Sequence, residues 1–303
     1  MFRLKGNVIH KNPKSDTVFQ LSCRIQINDS DYLLEELSSQ HNLKAAVEEK
    51  PDHSKFLIIY SKNKSEALKV KSLLLELNKH SFSNFRMISL PQSHWATRWK
   101  KGLKVLRISR NLVVSPSWIK YQKKAQEKVI RIDPEMAFGT GHHATTRMCL
   151  EWLEKLAPSS KSVCDVGCGS GILAISAAKL GIKNVLALDI DPEAIKIARK
   201  NARLNGVLPK IRFLTGPLKE QKIKKHYDII LANLTAQDLQ KNWKELKTLA
   251  NPQKTLLILA GIEKSQQVWF EPWLEKERKW IIIDRKKESD WIGYMLKREK
   301  LET

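Results

Sequence analysis

The chain has 303 residues, 42% hydrophobic and 28% charged, the balance of a folded globular protein rather than a disordered one. Lys and Arg outnumber Asp and Glu by 54 to 32, a formal net charge of +22, which suits a polyanionic partner better than a cationic one. Two domains are expected at about 100–200 residues each; the absence of any Cys-x-x-Cys pair, of an apolar N-terminal stretch and of an apolar run near the roughly 18 residues that span a bilayer excludes disulfide-rich, secreted and membrane-spanning classes and points to a reduced, cytoplasmic compartment.

The first elements alternate. Val18–Ile27 is rich in β-branched and apolar residues and predicts a strand, and Asp31–Gln40 carries Leu33, Leu34 and Leu37 at helical spacing. An extended segment at Leu43–Val47, a buried strand at Phe56–Tyr60, a helix over Ser65–Lys79 and a strand at Phe85–Leu90 complete the order β-α-β-β-α-β, the ferredoxin-like arrangement, over residues 1–92. Residues 93–132 read as a basic, Trp-containing linker with Trp95, Trp99 and Trp118. They hold 11 basic side chains and one acidic one, Glu127, so +10 of the +22 sits in forty residues. Such a patch is the footprint expected for RNA, the plainer reading being a solvated basic face.

Residues 133–303 read as a third segment in which strands and helices alternate. Strands are predicted at Ser162–Val166, Val185–Asp189, Ile211–Leu214, Tyr227–Ala232, Thr255–Ala260, Trp280–Ile283 and Trp291–Leu296, with helices separating the first five. That alternation predicts an α/β, mostly parallel, doubly wound sheet.

One strand of this segment runs into a glycine-rich turn, Gly167-Cys168-Gly169-Ser170-Gly171, and a helix follows over Ile172–Leu180, closed by Gly181. Glycines allow a tight turn and close approach of a ligand, and a helix N-terminus offers unpaired N–H groups. Asp189 ends the next strand, 22 residues beyond Gly167, where a carboxylate is placed to accept from ribose hydroxyls. Asp191, followed by Pro192, reads as a helix cap. The spacing Gly-x-Gly-x-Gly differs from the Gly-x-Gly-x-x-Gly of dinucleotide sites. Asn233 stands at the carboxyl end of the strand that reaches it, where open α/β sheets bind ligands. Its alternative role is a helix cap. Cys164 with Cys168, and His142 with His143, make poor metal sets, so no metal is expected.

The glycine turn resembles motif I of class I S-adenosyl-L-methionine-dependent methyltransferases. Together with Asp133–Thr146, LDIDPEAIKIARKNARLNG and LANL, and extending to HWATRWKKGLKVLRISRNLVVSPSW, LAGI and SDWIGYMLKR, the chain resembles over roughly residues 93–298 the bacterial methyltransferase family of large-subunit ribosomal protein L-eleven (L11). The resemblance implies a Rossmann-like, seven-stranded methyltransferase domain behind a small substrate-recognition domain. It implies methylation of lysine side chains and of the N-terminal amine of L11, with S-adenosyl-L-methionine as donor, and places Thr146, Gly167, Gly169, Asp189 and Asn233 against that cofactor. It names no catalytic base. The sequence departs from the family's Thr-His-Pro-Thr-Thr at His142-His143-Ala144-Thr145-Thr146, and from its Pro-Gly-Gly at Pro252-Gln253-Lys254. Two other functions stay open: a lysine methyltransferase for a different protein, and an RNA-binding ribosome assembly factor with a vestigial methyl-transfer site. Asn233-Leu234-Thr235 is not the Asn-Pro-Pro-Tyr of adenine or glutamine methylases.

Overall fold

A computed structural model describes residues 17–26, 33, 37, 44–49, 52, 54–61, 63–77, 81–91, 104–133, 143–251, 254–277 and 279–298. The chain divides into two compact units, Met1–Gly102 and Leu103–Thr303.

In the first unit, strands β1 (Thr17–Ile25), β2 (Lys44–Glu49), β3 (Lys55–Ser61) and β4 (Phe82–Pro91) form one antiparallel sheet in the order β2-β3-β1-β4, with helix α1 (Lys64–Leu77) between β3 and β4. Alternation along β1 buries Leu21, Cys23 and Ile25, which pack with Leu57 and Ile59 of β3 against Val70 and Leu74 of α1. Leu33 and Leu37 are helical and buried in the same core, on the helix expected between the first two strands. Trp95 and Trp99 lie outside the described residues.

The second unit opens with β5 (Leu106–Arg107), β6 (Leu112–Pro116) and β7 (Lys128–Ile132), a three-stranded sheet of its own. The expected linker 93–132 is therefore folded from residue 106 onward, and Leu112, Val114, Ile130 and Ile132 belong to the main core of this unit. Eight of the twelve exposed positions among the described residues of this segment are cations, so it reads as solvated chain. The apolar side chains between them anchor it.

Helix α2 (Ala144–Leu156) precedes the central sheet. That sheet contains β8 (Ser162–Val166), β9 (Asn184–Asp189), β10 (Ile211–Thr215), β11 (Ile229–Asn233), β12 (Leu256–Glu263), β13 (Trp280–Glu288) and β14 (Trp291–Arg298). Their order is β10-β9-β8-β11-β12-β14-β13, the first five parallel and the last two an antiparallel hairpin. Helices α3 (Ile172–Lys179) and α4 (Pro192–Leu204) join β8 to β9 and β9 to β10; α5 (Ala236–Lys241) and α6 (Trp243–Thr248) join β11 to β12, and α7 (Gln267–Lys276) leads to β13. Strand order reverses between β8 and β11, so their carboxyl ends face a crevice. Two apolar layers, one on each face, bury the sheet. The expected strand Tyr227–Ala232 starts later, at Ile229, because Tyr227 bridges to Ala250 and the Asp228 carboxylate accepts from the Lys161 and Ser162 N–H groups.

Candidate functional site

Strand β8 is buried at all five positions and delivers the chain to Gly167. Gly167, Gly169 and Gly171 have φ of 72°, 51° and 81°, the left-handed region that residues with a Cβ avoid. A Cβ at Gly167 would penetrate the Leu234 side chain, and one at Gly171 would sit 2.9 Å from Cβ of Ala198. The turn folds back on β9: Gly167 and Cys168 both donate to the Leu188 carbonyl, at 2.9 and 3.0 Å.

The half-buried Asp189 carboxylate clasps this turn. One oxygen accepts from Gly169 N at 2.8 Å and the other from Asp191 N at 3.0 Å. Asp191 has the capping role expected of it, accepting from Glu193 N at 2.8 Å with Pro192 opening the helix. At the carboxyl end of β11, the Asn233 amide donates to Thr146 Oγ1 at 3.4 Å. Thr146 lies buried in the first turn of α2. The cap of the helix after Asn233 is Thr235, whose hydroxyl accepts from Asp238 N. The five candidate residues thus form two bonded pairs, Gly169 with Asp189 and Thr146 with Asn233, and Leu234 packing on Gly167 joins them.

Several supporting residues carry no sequence motif that sets them apart. Asn201 of α4 accepts from Asp133 N (2.9 Å) and donates to the Asp133 and Ser170 carbonyls (3.1 and 3.0 Å). One turn on, Asn205 pairs with both the N–H and the carbonyl of Arg131 (2.9 and 2.6 Å). The two amides serve the open edge of β7 as a neighbouring strand would, and Asn201 ties that edge to the glycine turn. Gly261, with φ of 89°, sits at an irregularity in the pairing of β12 with β14; a Cβ there would meet the Leu234 backbone, with its carbonyl carbon at 2.8 Å. A glycine inside a strand is the signal for such an approach. Asp165, fully buried behind the turn, accepts from Ala174 N at 3.0 Å with one oxygen, while the other has no hydrogen-bond partner. Burial pushes its carboxyl up to about 7, opposed by the Ala174 bond and assisted by the charge of Asp189.

Residues 134–142, including His142, lie outside the described residues. His143 precedes α2, where its ring shares a hydrogen bond of 2.7 Å with Thr145 Oγ1 and packs edge-on against Trp291 at 4.6 Å. The ring is held by this hydrogen bond and by its packing on Trp291. Further along α2, Arg147 pairs with Glu288, Glu151 with Lys286, and Trp152 Nε1 donates to Asp284 at 2.7 Å, so β13 fixes the helix that carries Thr146.

The family model described as ribosomal protein L11 methyltransferase (PrmA) matches residues 5–299. The ribosomal protein L11 methyltransferase of Thermoanaerobacter pseudethanolicus is 33% identical over 301 residues, covering 97% of this chain and 91% of its own length. That of Caldanaerobacter subterraneus subsp. tengcongensis is 39% identical over 209 residues, 69% of this chain and 66% of its own length. The crystal structure of the ribosomal protein L11 methylase of Lactobacillus delbrueckii subsp. bulgaricus is similar at a TM-score of 0.60 and 34% identity, covering 65% of this chain and all of that one. With a match from end to end and a glycine turn clasped by the acid of the next strand, the chain belongs to the ribosomal protein L11 methyltransferase family, a family of S-adenosylmethionine-dependent enzymes.

Proposed function

We propose that this protein transfers methyl groups from S-adenosylmethionine to amino groups of ribosomal protein L11, lysine side chains and the N-terminal amine, in the cytoplasm. The observation that carries the reading is the family match over residues 5–299. The residues present fit the cofactor. Asp189 spends one lone pair per oxygen on the backbone and is half exposed, leaving acceptor capacity for ribose hydroxyls. Positive-φ glycines bring the backbone close to the ligand, and an unpartnered Asp165 oxygen lies behind the turn. Thr146, Gly167, Gly169, Asp189 and Asn233 are assigned to cofactor contact on these grounds.

Bound there, the cofactor supplies a methyl group on a positively charged sulfur. The protein's own task is position and polarity. An attacking amine must be neutral, and a free lysine holds its proton up to a pKa of about 10.4. Partial burial beside a positive centre favours the neutral form. Asn233 keeps its amide N–H on Thr146, and its carbonyl oxygen is the acceptor the side chain has to offer. We assign no general base.

A vestigial site in an RNA-binding factor is less well supported, because the glycine turn, Asp189 and Asn233 are all present. Methylation of another lysine-bearing protein is less well supported because the family match is to L11 methyltransferases. Contact with ribosomal RNA is compatible with catalysis and rests on the +10 charge of residues 93–132. A transfer assay with labelled cofactor tests the client. Label is expected on L11 in preference to other basic ribosomal proteins at equal concentration; equal labelling of all of them would refute L11 as the specific client.

A further inference from the structure

We propose that Lys123, Lys128, Arg131 and Lys179 form a phosphate-binding patch for RNA at the end of α3 remote from the glycine turn. The inference deepens the RNA part of the reading above and is independent of the protein client.

The basic segment does not present its charge evenly. Its one carboxylate, Glu127, is 2% exposed and turned inward, where it accepts from Lys124 N, Arg107 and Tyr121 at 2.8–2.9 Å. The Lys124 N–H, with help from Arg107 and Tyr121, holds its carboxyl down at about 2. Arg107 is therefore committed to an internal ion pair. Lys123, Lys128 and Arg131 are instead exposed, and none of them has an ion pair among the described residues. β7, which carries Lys128 and Arg131, packs against α3. The last turn of α3 carries a fourth cation from outside the segment, Lys179, half-buried and also without a carboxylate partner among the described residues. Burial first, and then the charges of Lys123, Arg131 and Lys128, lower the pKa of Lys179.

Four like charges gathered without a counter-charge repel one another, and a bound polyanion relieves that repulsion. A basic ribosomal protein would add to it. A lipid surface is the poorer match: Val129 and Ile130 point inward, and among the described residues of 104–133 and α3 no large hydrophobic side chain is exposed to enter a bilayer. The place is as informative as the charge. α3 starts at the glycine turn and ends at Lys179, eight residues or about 12 Å away. β7 packs against α3, and Asp133, just past the end of β7, is tied through Asn201 to Ser170 in the turn, so Lys128 stands at the end of β7 away from that tie. RNA held at the patch leaves the carboxyl ends of β8, β9 and β11 open.

The test uses the full chain and a fluorescently labelled RNA stem-loop, titrated at several salt concentrations. The triple variant Lys123→Gln, Lys128→Gln, Arg131→Gln is expected to weaken binding at least about tenfold and to reduce the slope of log affinity against log salt by about 2. A comparison triple, Lys244→Gln, Lys276→Gln, Lys279→Gln, removes equal charge from other exposed positions and is expected to change binding far less. Cofactor binding by the patch variant should match wild type. If it does not, Lys123→Gln alone, in a loop outside every strand, carries the test and should still reduce the salt slope. Equal losses in the two triples, unchanged RNA affinity, or loss of binding to phosphatidylserine vesicles with RNA binding intact would each overturn the proposal. Absent methylation of L11 with patch-dependent RNA binding would count against the client and leave the patch standing.

Discussion

Replacing Asp189 by Asn separates the two adjacent acids most sharply. The Asp189 carboxylate only accepts, and it holds two backbone N–H groups that face it from opposite oxygens, Gly169 N at 2.8 Å and Asp191 N at 3.0 Å. An amide of the same shape has one acceptor and one donor, so one N–H is left opposite another donor. Leaving such a group unsatisfied costs about 1–3 kcal/mol. Half exposure puts Asp189 at the low end, and a stability loss of about 1 kcal/mol is expected. Hydrogen bonds from ribose hydroxyls to a charged acceptor are worth about 1.5–3 kcal/mol, so cofactor affinity should fall roughly ten- to a hundredfold. Isothermal titration with S-adenosylmethionine, alongside thermal unfolding, reads both effects. Asp191→Asn is the control: it caps α4 through Glu193 N, Asn caps nearly as well, and cofactor affinity should not move. Wild-type affinity in a folded Asp189→Asn protein, or an equal loss in the Asp191 variant, would refute the assignment.

Two further predictions concern the scaffold. Gly261→Ala sets a Cβ against the Leu234 backbone at a φ of 89°, whereas Gly181→Ala, at 107°, meets nothing within 4 Å; denaturant unfolding should show a loss of about 3 kcal/mol or more for the first and about 1–2 for the second, and equal losses would remove the clash argument. Burial raises the Asp165 carboxyl to about 7, so the folded state binds the proton more tightly than the unfolded one. Its contribution is complete below the unfolded value near pH 4 and fades as pH rises to about 7, on the order of 4 kcal/mol at most. Asp165→Asn should flatten stability over that window, and an unchanged pH profile would contradict the account.

Much of the fold is legible in the sequence because periodicity and punctuation agree there. The parallel strands are apolar runs bounded by turn residues, and Asp191-Pro192 marks the start of α4 where the structure has it. β13 is harder to read. Beyond Ile283 it continues as Asp284-Arg285-Lys286-Lys287-Glu288, polar because it is an edge strand whose side chains reach Trp152, Glu151 and Arg147 of α2. β6 and β7 are short: β6 is five buried residues with no alternation, and in β7 the exposed Lys128 and Arg131 hide the buried Ile130 and Ile132. The glycine turn and Asp189 are visible because conformation and spacing are local properties. Asn201 and Gly261 act through partners 68 and 27 residues away, Asp133 and Leu234, and a one-dimensional pattern gives an asparagine on a helix no reason to be special. His143 stands out in sequence as half of an adjacent pair, but its surroundings are those of a packed ring.

The central claim is methyl transfer to L11 by this site, and the intact mass of purified L11 after incubation with the protein and S-adenosylmethionine tests it most directly. The account predicts gains in whole methyl units with wild-type protein, and a much slower gain with Asp189→Asn at subsaturating cofactor. An unchanged mass, with a preparation that binds the cofactor, would contradict it.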